Sequence, residues 1–398
     1  MSAAIPFANL AAVPESATLS MTARAAALDT PGRPVLSLSA GEPDFATPGY
    51  IAEAGIRAIR EGRTHYPPAA GLAPLRQAIA DHLNESNGGQ YEARQVIVSV
   101  GAKGALFNAL FTLFGPGDRV VVTAPYWVSY PAMIRLARAE PVILETTRES
   151  GFRAAPDALD AALTGGAKGV VLNSPCNPTG VILSDGDLEA LLDVAMAHQA
   201  WVVADEIYSD IRYGGPFASV AARAGEYERI VLVNGFSKTY AMTGWRVGYA
   251  AGSTELVQAM SRLQGHMNTN TALPSQYAAL AALSDRVARV AAVGSMVAAF
   301  ARRRDLLFEG LARIPGLDPL PPDGAFYVWI DARPWCTALG EGSLALCLDL
   351  LEHERLALVP GSAFGVDGYL RLSFAASEAV LADAIGRLEA AAARLGHG

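Results

Sequence analysis

Lys238 follows the apolar run Ile230-Val231-Leu232-Val233, inside the segment Asn234-Gly235-Phe236-Ser237-Lys238-Thr239. A lysine just past a buried strand can reach a carbonyl carbon and form an imine, provided its amine is partly deprotonated. Taken singly, it reads as a solvated surface lysine. Asp205 and Glu206 end a second run, Trp201-Val202-Val203-Ala204, with Tyr208 just beyond. A carboxylate there is costly to bury unless a cation pairs with it, and the plainer reading is a helix N-cap. After Ser99-Val100 comes Gly101-Ala102-Lys103-Gly104, small residues at a strand-to-helix turn that let backbone N–H groups approach an anion. The turn has neither the Walker spacing nor the full dinucleotide fingerprint. Eight residues past Lys238, Thr243-Gly244-Trp245-Arg246 offers a guanidinium that can fork onto a phosphate.

Each signal is modest alone, but together they specify one chemistry. An imine lysine, an aspartate for a ring nitrogen, and a helix N-terminus and arginine for a phosphate are what pyridoxal phosphate requires. The aspartate would keep the ring nitrogen protonated, so that the ring draws electrons from a substrate's α-carbon. The lysine, once displaced by the substrate amine, would be the base that moves the proton.

These residues need a frame that ends several strands along one edge. Seven β-branched runs recur with helical stretches between them: Val96–Val100, Val120–Thr123, Val142–Leu144, Val170–Asn173, Trp201–Ala204, Ile230–Val233 and Val247–Ala250. They are unbroken rather than alternating, as strands covered by helices on both faces are. The pattern predicts a doubly wound α/β domain over residues 48–295, with helices such as Gly104–Phe114 and Asp185–His198. Residues 1–47 hold Pro14, Pro31, Pro34 and Pro43 and read as an arm crossing another surface. A long helix is expected from Ser284 to about Ala312, then short strands at Phe326–Ile330 and Tyr369–Phe374, and a terminal helix from Ser377. Residues 296–398, with the arm, make a smaller α+β domain. Ligands of open α/β sheets sit at the carboxyl ends of the strands, where the residues above fall.

The bulk composition excludes several other classes. With 51% hydrophobic and 18% charged residues in 398, the chain reads as a well-packed enzyme of two or three domains. A net charge of -8 disfavours nucleic acid or an anionic membrane as partner. No run of 18 apolar residues suggests a membrane span, and Met1–Leu10 lacks a secretory pattern. Cys176, Cys336 and Cys347 are few and scattered, as in a reducing cytoplasm. The six histidines show no metal-ligand spacing, so no metal is expected. A DNA-reading regulator on this frame would need an added basic domain, for which no residues remain.

At the level of motifs the sequence resembles the fold-type I, class I aminotransferases, in the branch of bacterial aspartate and prephenate aminotransferases. The resemblance runs through Ser39–Phe45 (SAGEPDF), Pro125–Pro131 (PYWVSYP), Asn173–Gly180 (NSPCNPTG) and Ala241–Gly248 (AMTGWRVG), in matching order over nearly the whole chain. It implies an aspartate aminotransferase-like fold with a mostly parallel sheet. It also implies Lys238 as the Schiff-base lysine and Asp205 on the pyridine nitrogen, with Asn177 and Tyr208 on the phenolic oxygen. Trp127 would stack on the ring, and Gly101, Ala102 and Arg246 would hold the phosphate. Tyr66 would reach the phosphate of another subunit, making a homodimer with shared sites. Arg371 would grip the substrate α-carboxylate, with help from Gly41 and Asn177. Lys103, supported by Ser16 and Thr18, would pair with a distal carboxylate.

The activity so implied is amino transfer between aspartate or glutamate and a 2-oxo acid such as 2-oxoglutarate, by a ping-pong mechanism. Two departures from the family pattern bear on substrate. His266–Ala272 stands in place of a Ser/Thr-rich stretch ending Asn-Pro, and Pro67 in place of a threonine common in prephenate-active relatives. An aromatic or secondary-metabolite amino acid is therefore an alternative, as is a lyase or oxidase on the same scaffold.

Overall fold

The structure, a computed structural model, describes Leu10, Val13 and residues 17–397. After β1 (Leu36–Ser37), the seven apolar runs become β2 (Val96–Val100), β3 (Arg119–Ala124), β4 (Glu140–Glu145), β5 (Gly169–Asn173), β6 (Trp201–Asp205), β7 (Ile230–Gly235) and β8 (Val247–Ala251). They form one sheet in the order β2-β8-β7-β6-β5-β3-β4. Alternate residues of these strands feed two different cores. Val170, Val202 and Leu232 pack with Leu188, Leu191 and Leu192 of helix Asp185–Ala197. Val171, Val203, Val231 and Val233 pack with Leu106, Ala109 and Leu110 of helix Gly101–Leu113. Both faces are thus apolar, which is why the runs show no alternation in sequence.

One strand departs from the repeating pattern. β8 pairs antiparallel with both β2 and β7, whereas the other neighbours are parallel. Residues 236–246 are too few for the dozen or more that a parallel crossover needs, so the chain turns back on itself. The functional consequence is large. The beginning of β8 lies beside the ends of β2 and β7, in the registers Val100↔Val247 and Gly235↔Gly248.

Strands β9 (Asp318–Leu320), β10 (Tyr327–Asp331), β11 (Leu356–Ala357), β12 (Val359–Pro360) and β13 (Tyr369–Ser373) follow. Four of them make an antiparallel sheet, β12-β13-β10-β9, and β11 pairs with β1 in parallel. The long helix runs Arg286–Leu311 and the terminal one Glu378–Arg394, the latter capped by Ser377. The N-terminal segment is more regular than an arm, for Ala17–Leu28 is helical and buries Met21 and Ala25 in a third core, built on the four-stranded sheet with Phe326, Val328 and Leu372. No proline falls between Pro14 and Pro31, which leaves room for it. Among the described residues no helix is long and apolar enough to cross a membrane.

Candidate active site

Parallel strands end on one edge of the main sheet, and antiparallel β8 begins there. A cavity of about 520 Å³ opens at that edge, closed on its other side by Tyr327 of β10 and Arg371 of β13. Its size suits a small cofactor with a substrate.

Gly101 follows β2 with φ +70°, and a Cβ there would sit 2.6 Å from the Arg246 guanidinium. Glycine is needed for both the backbone and the space. The Gly101 amide donates to the Arg246 carbonyl (3.1 Å), so Gly101 contributes room rather than a free donor. The amides of Ala102 and Lys103 lie in the helix's first turn, where no intrahelical acceptor exists. Gly248 lets β8 pass close behind this turn, since its Cβ would lie 2.2 Å from the Ala102 nitrogen. Arg246 is exposed and donates to the Thr243 carbonyl at 2.9 Å.

Asp205 ends β6 almost fully buried. Its Oδ2 accepts from the Tyr130 hydroxyl (2.7 Å) and its Oδ1 from the Ile207 amide (3.1 Å). The segment after it forms turns rather than a helix, so it is not a helix cap. Burial raises its pKa to about 6 despite the Tyr130 and Ile207 bonds and the charge of Lys238. Lys238, just past β7, donates to the Gly41 carbonyl. Burial pulls its pKa down to about 8; Glu42 opposes the fall, and Arg246 and Arg371 add to it. A lysine so placed supplies far more neutral amine at pH 7 than a solvated one.

Arg371 is 2% exposed. It donates to Asn177 Oδ1 (3.1 Å) and the Ser39 carbonyl (2.6 Å), while its buried Nε has no partner. Asn177 is held in turn by its own amide, which donates to Asn173 Oδ1 at 2.9 Å. The Lys103 ammonium lies 4.9 Å from the centre of the Trp127 ring. Its pKa is lowered, by burial first and by Arg246 second.

The sequence model for aminotransferase class I and II matches residues 33–388. The chain belongs to that family. Its members depend on pyridoxal phosphate. The chain is similar to a probable aspartate/prephenate aminotransferase of Thermus aquaticus, 42% identical over 94% of this chain and 95% of that one. It is 41% identical to the aspartate aminotransferase of Geobacillus stearothermophilus, over 96% of this chain and 97% of that one. Among solved structures, the aspartate aminotransferase from Thermus thermophilus with maleate superposes with a TM-score of 0.92 at 40% identity, covering 96% and 98% of the two chains. The aspartate aminotransferase-like fold, with its mostly parallel sheet, is therefore the observed one.

The donor set fits the family's cofactor. Lys103, Lys238, Arg246 and Arg371 all line the cavity, against only Asp205 and Glu42. Among the described residues none of the four cations is ion-paired with a carboxylate. Such an excess is costly unless anions are to be received, and a phosphate with a carboxylate would supply them. Asp205, held short of full ionisation, suits a cationic ring nitrogen.

Of the residues expected from the sequence, Gly41, Ala102, Lys103, Trp127, Asn177, Asp205, Tyr208, Lys238, Arg246 and Arg371 line this cavity, and Gly101 borders it. Tyr66 does not, standing 87% exposed. Ser16 and the side chain of Thr18 lie outside the described residues. Sequence reasoning missed Tyr130 as the partner of Asp205, Tyr327 as the partner of Tyr208, and Thr22, which lines the cavity from the N-terminal helix. Tyr130 lay within the quoted motif Pro125–Pro131, the one signal that could have found it. Among the described residues no cluster of histidine, cysteine or acidic side chains could hold a metal.

Proposed function

We propose that this chain binds pyridoxal phosphate through Lys238 and transfers an amino group between aspartate or glutamate and 2-oxoglutarate. The observation that carries the reading is the set of four cations, Lys103, Lys238, Arg246 and Arg371, that line one cavity with the buried Asp205 and with no ion pair to a carboxylate among the described residues. When bound, the cofactor supplies an electron sink conjugated to the substrate's α-carbon. The protein's own residues do the rest. Asp205, oriented by Tyr130, holds a proton on the ring nitrogen. The amides of Ala102 and Lys103, with Arg246, receive the phosphate in the space left by Gly101. Tyr208 and Asn177 would hold the cofactor's phenolic oxygen, and Trp127 would cover its ring.

Arg371 grips the α-carboxylate with its fork, helped by Gly41 and Asn177. Lys238, whose pKa is already lowered, moves the proton at the α-carbon once its amine is free. Lys103 takes the distal carboxylate of a dicarboxylic substrate, and its place over Trp127 keeps the ammonium at the cavity. That the Thermus and Geobacillus relatives carry aspartate in their names supports this choice.

The same reading assigns residues 48–295 to a large cofactor-binding part, and residues 1–47 with 296–398 to a smaller one. It pairs the chain with a second copy, whose site would receive the exposed Tyr66, with Ser16 and Thr18 near the distal carboxylate. Three unpaired cysteines suit a reducing cytoplasm.

The test is an absorbance spectrum of the protein with pyridoxal phosphate, before and after aspartate, with Lys238→Ala as control. A visible band present in the wild type, absent in K238A and bleached by aspartate is expected. No band would sink the cofactor assignment. A band indifferent to aspartate and glutamate but bleached by an aromatic amino acid would move the substrate to the alternative that the His266–Ala272 departure raises.

A further inference from the structure

We propose that Tyr327 is a positioning residue that ties the carboxylate-binding arginine, Arg371, to the cofactor-facing tyrosine, Tyr208. The proposal rests on the pyridoxal phosphate reading above. Tyr327 is fully buried at the start of β10 and lines the cavity. Trp329 lies opposite Arg371 in the β10–β13 ladder. Tyr327 is therefore Arg371's diagonal neighbour on the same face.

Three contacts meet on this one side chain. The Arg371 guanidinium carbon lies 4.5 Å from the centre of the Tyr327 ring. The Tyr327 hydroxyl is 2.9 Å from that of Tyr208, the two rings meeting edge to face at 83°. The same hydroxyl comes within 2.8 Å of where a Cβ on Gly41 would be, and the Gly41 carbonyl accepts from Lys238. Hydroxyl and ring do different work. Arg371's fork is anchored at Asn177 and Ser39, and two rings bear on the guanidinium, Phe364 at 5.1 Å and, nearer, Tyr327 at 4.5 Å. The hydroxyl acts on Tyr208. With Tyr327 donating, the proton of Tyr208 is free to face the cavity, and the two-bond chain makes it a stronger donor. A stronger donor at the cofactor's phenolic oxygen favours that oxygen's charged form and lowers the pH at which it titrates.

The two roles separate in two variants. Holoenzymes of the wild type, Tyr327→Phe and Tyr327→Leu are titrated by visible absorbance against pH, and steady-state kinetics are taken with the amino-acid donor. Phenylalanine keeps the ring and loses the hydroxyl. Y327F should raise the titration midpoint by about 0.3 pH unit or more, with KM for the donor changed less than about twofold. Y327L should show the same midpoint rise and a KM raised roughly tenfold or more. Restoration of KM by phenylalanine alone distinguishes an oriented arginine from a merely filled core. A Y327F midpoint within about 0.1 unit of wild type, or equal KM values in the two variants, overturns the proposal. A wild-type protein with no visible band overturns the cofactor reading and this inference with it, so the two failures are told apart.

Discussion

Arg371→Leu should abolish substrate binding while leaving the fold almost as stable as before. The guanidinium is buried with no ion pair to a carboxylate among the described residues, and burial lowers its pKa. Taking such a cation out of water costs several kcal/mol. Its hydrogen bonds to Asn177 and Ser39 return about 1.5–3 kcal/mol each. The rings of Tyr327 and Phe364, at 4.5 and 5.1 Å, return roughly 1–2 kcal/mol each. Cost and return are of the same size, so replacing the cation by leucine should move the thermal midpoint of the apoprotein by less than about 2 °C. Against the substrate the balance is one-sided. A carboxylate desolvated in this cavity without its partner loses about 3–5 kcal/mol, or roughly a hundred- to several-thousand-fold in kcat/KM. Steady-state kinetics with aspartate and a thermal melt of the apoprotein measure the two halves independently. A fall in kcat/KM of less than about tenfold would place the α-carboxylate elsewhere. A melt lowered by more than about 6 °C would make Arg371 a structural pin, and the case for an anion-receiving cation would fail.

Three further outcomes follow from the geometry. Asp205→Asn keeps the shape but cannot become an anion, so kcat should fall by roughly a hundredfold or more. Because the Asp205 pKa stands at about 6, wild-type affinity for pyridoxal phosphate should rise as pH climbs through 6; a wild type as flat as D205N in that titration would contradict the assignment. Gly101→Ala forces a Cβ 2.6 Å from the Arg246 guanidinium at φ +70°, and the apparent Kd for the cofactor should weaken about tenfold, measured by fluorescence quenching. An unchanged Kd would remove Arg246 from the phosphate site. Glu206→Gln tests burial. The Glu206 pKa rises from 4.5 to about 7 through burial, so the folded chain holds this proton longer than the unfolded one, and stability falls as pH rises between those values. An uncharged amide in its place removes that loss, so E206Q should gain up to about 3 kcal/mol over wild type at pH 8 but little at pH 4, read from denaturant midpoints. The reverse pH trend would show that Glu206 is stabilised as an anion.

What the sequence made legible was whatever local pattern controls. The seven main-sheet strands were readable because a strand buried on both faces is an unbroken apolar run. The catalytic candidates were readable because Asp205 follows such a run directly and Lys238 comes five residues after one. The direction of β8 was not visible in its composition; it depends on the length of residues 236–246, which cannot cross over the sheet. Tyr130 and Tyr327 escaped because their meaning lies in partners 75 and 119 positions away, Asp205 and Tyr208. Apart from the Pro125–Pro131 motif that holds Tyr130, nothing near either tyrosine distinguishes it from a core aromatic. The helix Ala17–Leu28 was hidden by the prolines on either side of it, which colour the segment as irregular while sparing the twelve residues that fold.

Asp205 and Glu206 show how one strand end serves two demands. Both are buried, adjacent and raised in pKa, yet they have separate partners. The Glu206 carboxylate accepts from Ser219 Oγ (2.7 Å) and the Val220 amide (2.9 Å), both within the protein. Asp205 meets the Tyr130 hydroxyl and one amide, and it lines the cavity with no cation bonded to it among the described residues. Two neighbouring carboxylates oppose each other's ionisation, and the burden falls unequally. In both, burial raises the pKa, and one hydroxyl and one amide donor oppose the rise. Asp205 is the one that lines the cavity, so it is the one whose ionisation an arriving cation favours. The acid best placed to ionise is therefore the one that faces the cavity, while its neighbour fastens the strand end to residues 219–220. A carboxylate that served only the fold could have been enclosed within it as Glu206 is; that Asp205 borders the cavity argues that its counter-charge comes from what binds.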